Sequence, residues 1–288
     1  MTQASMSGKT CLVTGASSGI GKATAAELAG MGADVLMVVR DRERGEQAAE
    51  EVRQVAQGGG GKVEVLVADL SSMEDVRKLA EQVLKEHERL DVIVNNAGLM
   101  SFKRRVTRDG FETTFATNHL GPFLLTNLLL DRLKASTPAR IVNVASMTHS
   151  GVKAIPWDDL QSEKNYKAMP VYSLTKLMNV LFTNELARRL NGSGVTANSL
   201  HPGFPMKTNF GEGAPGAPGL FFKVASFFGM SAEAGARTSV YLASSPEVEN
   251  VSGRYFVKSK PAKTSELSQD QGVAERLWNV SMGLCGLS

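Results

Sequence analysis

Only two cysteines occur in the 288-residue chain, Cys11 and Cys285. They lie far apart and form no Cys-x-x-Cys pair, which excludes a disulfide framework and a cysteine-built zinc site. No long block of one charge is present either. The 32 Lys and Arg are interspersed with 29 Asp and Glu, for a net charge of +3, so nothing points to nucleic acid. No apolar stretch reaches the length that spans a bilayer, and Met1 to Lys9 runs into a strand without a signal-peptide core. These absences give the expectation of a soluble chain in a reducing compartment, cytoplasmic, with no metal and no transmembrane segment. What the chain does have is 42% hydrophobic residues over a length that can bury one substantial core. A single α/β domain over residues 1–288 is therefore expected.

Short β-rich runs alternate with longer helical patterns, the sequence form of a doubly wound parallel sheet flanked by helices. Strands are expected at Thr10 to Thr14, Val35 to Val39, Val63 to Ala68, from Val92, at Ile141 to Ala145 and Val195 to Leu200, with a short last one at Tyr255 to Val257. Between them the pattern predicts helices from Gly19 to a stop at Gly30, from Arg42 to Gln57, and from a Ser72 cap to about His87. A long helix is expected from Asp109 to Leu133, and one bearing Tyr172 to Leu190 after an irregular insertion that contains Trp157 and Pro170. Ser231 caps a helix to about Leu242, and a terminal helix covers Ala274 to Cys285. Gly58 to Gly61 reads as a loop, and Lys103-Arg104-Arg105 as a solvated one, with a border of the cofactor or a partner as the lesser reading. This divides the chain into a first half at about 8–145, a second at about 146–257, and a C-terminal extension at 258–288. Within the second half, 204–230 shifts to Pro, Gly and Phe and reads as a lid, with Phe221, Phe222, Phe227 and Phe228 on a short helix.

Two motifs carry chemistry. Thr14 to Gly21 places a glycine-rich turn between a strand and a helix, where backbone N–H groups and a helix N-terminus favour a pyrophosphate. Gly15 permits the tight turn, Gly19 and Gly21 keep side chains out of the way, and Ser17, Ser18 and Ile20 complete the lining. The spacing is Gly-x-x-x-Gly-x-Gly, not the general dinucleotide fingerprint letter for letter. After the second strand, Arg40 with Ser17 and Lys22 suits the 2′-phosphate of NADP(H), whereas the adjacent Asp41 would suit NAD(H). Asp69, followed by Leu70, stands where an adenine amino group could be met, and equally where a carboxylate starts a helix.

The second motif is Tyr172-Ser-Leu-Thr-Lys176, whose spacing of four puts both side chains on one helix face. A phenol has a pKa of about 10, and a nearby ammonium lowers it toward a usable proton donor. Together with Asn95-Asn96-Ala97-Gly98, Asn118, Ser146 and Pro202-Gly203, in this chain order, the sequence resembles the short-chain dehydrogenase/reductase family from about Lys9 to Arg254. Within that family it is most similar to the retinol dehydrogenase group. The stretches that carry this likeness include Asp109 to Glu112, Thr117 to Gly121, Leu181 to Leu190, Ala197 to Gly203 and Ala274 to Val280, and so does the long separation of Ser146 from Tyr172.

The resemblance implies a tetrad of Asn118, Ser146, Tyr172 and Lys176. Tyr172 would be the acid, Ser146 would bind the substrate oxygen, and Lys176 would hold the nicotinamide ribose and depress the tyrosine pKa. Asn118 would anchor a water that relays protons to Lys176. The same resemblance assigns Asn96, Ala97, Gly98, Pro202 and Gly203 to the cofactor. Where the family usually has a threonine four residues after the glycine of Pro-Gly this chain has Lys207, with Thr208 one later as the candidate nicotinamide contact. His201 reads as structural; His149, three residues after Ser146, could line the substrate site, with a surface loop as the commoner reading. The expectation is an NADP(H)-dependent oxidoreductase that interconverts a small lipophilic aldehyde or ketone with its alcohol, with homo-oligomer formation left open. A dinucleotide-binding sensor without turnover is the alternative of another class, and a sugar-nucleotide epimerase would call for a larger C-terminal region.

Overall fold

The structure is a computed structural model that describes residues 5–203 and 230–287. Eight strands form one sheet in the order β3-β2-β1-β4-β5-β6-β7-β8. Their ranges are β1 Thr10–Thr14, β2 Asp34–Val39, β3 Val63–Val67, β4 Val92–Asn95, β5 Ala139–Val144, β6 Val195–His201, β7 Tyr255–Val257 and β8 Lys260–Pro261. The first seven are parallel, and β8 turns back antiparallel on β7. The doubly wound fold class expected from the alternation is therefore present. It follows from the residues: strands such as Asp-Val-Leu-Met-Val-Val are apolar on both faces because helices cover both.

One face is covered by α1 Gly19–Gly30, α2 Arg42–Ala56 and α8 Ala232–Ser244, which share a core with Cys11, Val13, Met37 and Val94 of the strands. The other face carries α3 Met73–Glu86, α5 Gly121–Leu128, α6 Leu130–Ala135, α7 Ala168–Arg189 and α10 Gln271–Leu284, after the short α9 Glu266–Gln269. There Leu12, Leu36, Ile93 and Ile141 meet Phe123, Phe182 and Trp278, with Phe123 and Trp278 rings 5.0 Å apart and edge-on. Sheet order reverses between β1 and β4, so their carboxyl ends diverge and open a crevice, the place where such sheets take ligands.

Several expectations are corrected here. The helix expected from Asp109 does not start there: Gly110 takes φ +84, Val106 bridges Glu112, and helix α4 spans only Thr113–Phe115. Glu112 starts it, its carboxylate accepting from the N–H groups of Thr114 and Phe115 at 2.9 and 2.7 Å. Asp109 instead accepts from Met73 N–H at the start of α3. The run is also broken by a π-helical turn at Ala116–Leu120, before α5 and α6. Pro170 lies inside the first turn of α7, where a missing N–H costs no helical hydrogen bond. Tyr255–Val257 is not the last strand, since β8 follows. The proposed lid at 204–230, with its four phenylalanines, falls outside the described residues except for Met230.

Candidate functional site

A cavity of about 840 Å³ opens at the carboxyl ends of β1, β2, β4 and β5. Gly15, Ser17, Ser18, Gly19, Ile20 and Gly21 line it from the β1–α1 turn. The glycines are required by space as well as conformation. Gly15 (φ +66) lies so close to β4 that a Cβ there would sit 2.9 Å from the Ala97 Cα, and a Cβ on Gly21 would collide with the Gly15 carbonyl. Gly19 takes φ +55 as the chain enters α1. The residues present thus leave backbone N–H groups and a helix N-terminus facing the cavity, a cradle that fits a dinucleotide pyrophosphate.

The floor is tied together by Thr14. Its hydroxyl accepts from the N–H groups of Asn96 and Ala97 at 3.0 Å, and the Asn96 amide donates to the Thr14 carbonyl at 2.8 Å. Asn96, Ala97 and Gly98 all line the cavity, but the Asn96 side chain braces β4 against β1.

At the far end stand Arg40, Arg44, Asp69 and Leu70. Asp41 lines the cavity beside them and is also the N-cap of α2, its carboxylate accepting from Arg44 N–H at 2.9 Å. Lys22, expected beside Arg40, instead pairs with Glu51 of α2 at 2.6 Å and does not line the cavity. Asp69 lines the cavity, and its carboxylate accepts from Ser71 N–H at 2.9 Å in the turn before α3, whose cap is Ser72. Lys103 and Arg105 are exposed, as a solvated loop requires, and also border the same cavity, whereas Arg104 reaches the Gln161 carbonyl and Glu163.

At the near end α7 brings in Tyr172 and Lys176, buried to 8% and 3% exposure, and both line the cavity beside Pro202. Lys176 Nζ donates to the Val144 carbonyl at the end of β5 (2.9 Å) and lies 5.5 Å from the Tyr172 ring centroid. A Cβ at Gly98 would come within 3.2 Å of Nζ, so the glycine makes room for the ammonium. Burial pushes the Lys176 ammonium down to about 8. Burial also pushes the Tyr172 phenol up, opposed by a hydrogen bond with Ser146. This corrects the expectation that Lys176 depresses the tyrosine: desolvation of the phenolate is the larger effect, and Nζ is drawn to the Val144 carbonyl.

Ser146 follows β5 and caps a 3₁₀ turn at Met147–Gly151, its hydroxyl accepting from Thr148 N–H at 3.3 Å. Asn118 lies in the π-helical turn, not in a regular long helix. Its Oδ1 accepts from Leu99 N–H at 2.8 Å, and its Nδ2 donates to the Leu99 carbonyl at 2.9 Å and the Thr175 hydroxyl at 3.1 Å. Both amide hydrogens of the side chain are therefore taken by protein partners. Gly203 adjoins Met230, and Thr208 lies outside the described residues.

His149 overturns its surface reading. It is 2% exposed, with Nδ1 2.6 Å from the Ser146 carbonyl and its ring edge-on to Tyr255 at 4.9 Å. Its position three residues after Ser146, one 3₁₀ turn, was the available signal.

A profile described as short chain dehydrogenase matches residues 9–214. The chain belongs to the short-chain dehydrogenase family. This short-chain dehydrogenase is 48% identical to human retinol dehydrogenase 14 over 98% of its own length and 88% of that protein. It also superposes on a putative uncharacterized protein from Mycobacterium paratuberculosis with TM-score 0.79 and 35% identity, covering 100% and 97% of the two chains. A short chain dehydrogenase from Burkholderia cenocepacia, solved in complex with NADP, matches with TM-score 0.67 and 25% identity over 87% and 96% of the chains. The family and the retinol dehydrogenase relatives make the chain an oxidoreductase. No helix among the described residues is long and apolar enough to cross a membrane.

Proposed function

We propose that this chain is an NADP(H)-dependent oxidoreductase that interconverts a lipophilic aldehyde or ketone with its alcohol. The observation that carries the reading is the pairing of ends in one cavity: Arg40 and Arg44 at one end with Asp41 tied into the α2 cap, and buried Tyr172 and Lys176 at the other. Two guanidinium groups, with the Asp41 carboxylate between them held at one oxygen by Arg44 N–H, suit a 2′-phosphate better than ribose hydroxyls alone. The substrate class draws support from the likeness to human retinol dehydrogenase 14, named for a lipophilic alcohol.

When bound, the dinucleotide supplies the hydride. The chain supplies the rest. The turn at Gly15 to Gly21 holds the pyrophosphate, with Arg40 and Arg44 about the adenosine end. Lys176, fixed at the Val144 carbonyl, holds the ribose next to the reacting ring and carries a pKa low enough to pass a proton near neutrality. Ser146 donates to the substrate oxygen and stabilises the charge that develops there. Tyr172 delivers the proton to that oxygen in reduction and accepts it in oxidation. Burial keeps Tyr172 protonated and ready to donate until charge builds on the substrate oxygen. Asn118 holds Leu99 and Thr175, so the wall behind Lys176 keeps its shape. The test is a turnover screen with NADPH and NADH against aldehydes and ketones of increasing chain length, retinal included. NADPH oxidation that grows with chain length is expected, and no oxidation with any carbonyl would refute the reading.

A further inference from the structure

Behind Ser146 the fold buries polar atoms that it does not pair. Among the described residues, His149 Nε2, Tyr255 OH, His201 Nδ1 and Ser199 Oγ have no hydrogen-bond partner. All four residues are more than nine-tenths buried. They are gathered, not scattered. Ser199 and Tyr255 are register partners on β6 and β7, and His201 pairs with Val257 two residues on, so all of these side chains leave one face of the sheet. Tyr255 and Val257 pack there with Ala145 and with Val180 of α7, and the His149 ring closes on Tyr255 from the 3₁₀ turn.

The contact with Ser146 fixes which nitrogen of His149 carries the proton. A carbonyl oxygen can only accept, so Nδ1 donates to it at 2.6 Å, and Nε2 of the neutral ring is left as an acceptor. Burial lowers the pKa of His149 and keeps the ring neutral against the opposing Ser146 bond, and His201 is lowered by burial and then by His149 nearby. The four atoms together offer hydroxyl donors and ring acceptors, with no carboxylate or thiolate to balance a cation. Water is the ligand that answers such a set.

We infer that His149 is a positioning residue for Ser146, and that its Nε2 with Tyr255, His201 and Ser199 encloses ordered water directly behind the substrate-oxygen subsite. The Nδ1 bond holds the backbone from which the Ser146 hydroxyl projects. Water on Nε2 holds the ring, so the aim of Ser146 depends on this polar compartment, whose Tyr255 also lies near Tyr172. This inference rests on the carbonyl chemistry proposed above, and the experiment separates the two.

Histidine ¹⁵N spectra at neutral pH decide the tautomer without any turnover. His149 protonated at Nδ1 and bare at Nε2 is expected, and the reverse tautomer or an imidazolium overturns the inference. For kinetics, His149→Asn places an amide N–H close to Nδ1, whereas His149→Gln and His149→Phe do not. With NADPH affinity unchanged, kcat should fall on the order of tenfold in the Gln and Phe variants and return to within about threefold in Asn. Wild-type kcat in His149→Phe, or equal losses in all three variants, would overturn the positioning role. A crystal structure of the full chain should show water about 3 Å from Nε2. A dry compartment would overturn that part. A wild-type protein without turnover would defeat the proposed activity and leave the spectra to judge His149.

Discussion

Removing Arg40 is the sharpest probe of the cofactor assignment. Arg40 is exposed and lines the adenosine end of the cavity, whereas Asp41 beside it is held by Arg44 N–H at 2.9 Å. Hydrogen bonds to charged groups contribute about 1.5 to 3 kcal/mol, and solvent screening at an exposed rim places Arg40 at the lower end, about 1.5 kcal/mol. Since 1.4 kcal/mol is tenfold, Arg40→Leu should lower kcat/KM for NADPH roughly tenfold. NADH has no phosphate there to lose and should change by less than about twofold. Arg44 adds a second charge, so Arg40→Leu with Arg44→Leu should cost more than either alone, and the NADPH loss should shrink as salt is raised. Initial rates with both cofactors, at two ionic strengths, give the answer. A wild-type preference for NADH, or equal losses with both cofactors, would refute the reasoning, because Asp41 would then be facing the ribose instead of capping α2.

Tyr172→Phe should abolish turnover and leave NADPH affinity within about twofold in a fluorescence titration, because the ring still packs while the transferable proton is gone. Lys176→Ala should reduce both affinity and rate. His119 is buried beside Phe115, Phe123 and Phe182, and burial pushes its pKa down to about 4. The unfolded chain takes up that proton near 6.5, so stability falls as pH drops from 6.5 toward 4, by on the order of 2 kcal/mol at pH 5 from this group. Urea unfolding at pH 7 and pH 5 should show that difference in wild type and a smaller one in His119→Gln; identical differences would remove His119 as the cause. Gly21→Ala, whose Cβ would collide with the Gly15 carbonyl, should weaken both NADPH and NADH, and unchanged binding would mean that the turn adapts.

The sheet was legible because its strands are apolar runs stopped by residues with clear turn chemistry. Asn96, Asp69 and Gly15 end them, and seven expected strands stand within two residues of those observed. The helix expected from Asp109 failed where chemistry competes with pattern. An acidic residue before an apolar run signals a start, but Asp109 and Glu112 are both candidates, and Gly110 at φ +84 decides for Glu112. The pairing of β8 rests on two residues, Lys260 and Pro261, too few to leave a period in the sequence. At the site, residue types and order told which groups gather, since a turn and a helix face are local. The partners of each polar atom are set by tertiary packing: Lys22 finds Glu51, Asn118 finds Leu99, and His149 turns inward to Tyr255.

Those partners explain how α7 is held in register with the cavity. Its stretch from Val171 to Thr183 is buried on every side, so hydrophobic packing of its apolar residues alone would tolerate a slip or rotation. Polar contacts remove that freedom. Thr183 accepts from the Asn143 amide of β5 at 2.9 Å, and Asn143 in turn accepts from Asn95 of β4 at 2.8 Å. Seven residues before Thr183, Lys176 is tied to the Val144 carbonyl of β5, while Thr175 accepts from Asn118. A slip by one residue would leave several of these buried groups unpaired at once, each at about 1 to 3 kcal/mol. The height of Tyr172 over the cavity is thus set by hydrogen bonds to β5 and the π-helical turn, with the apolar core supplying stability and the polar contacts supplying position.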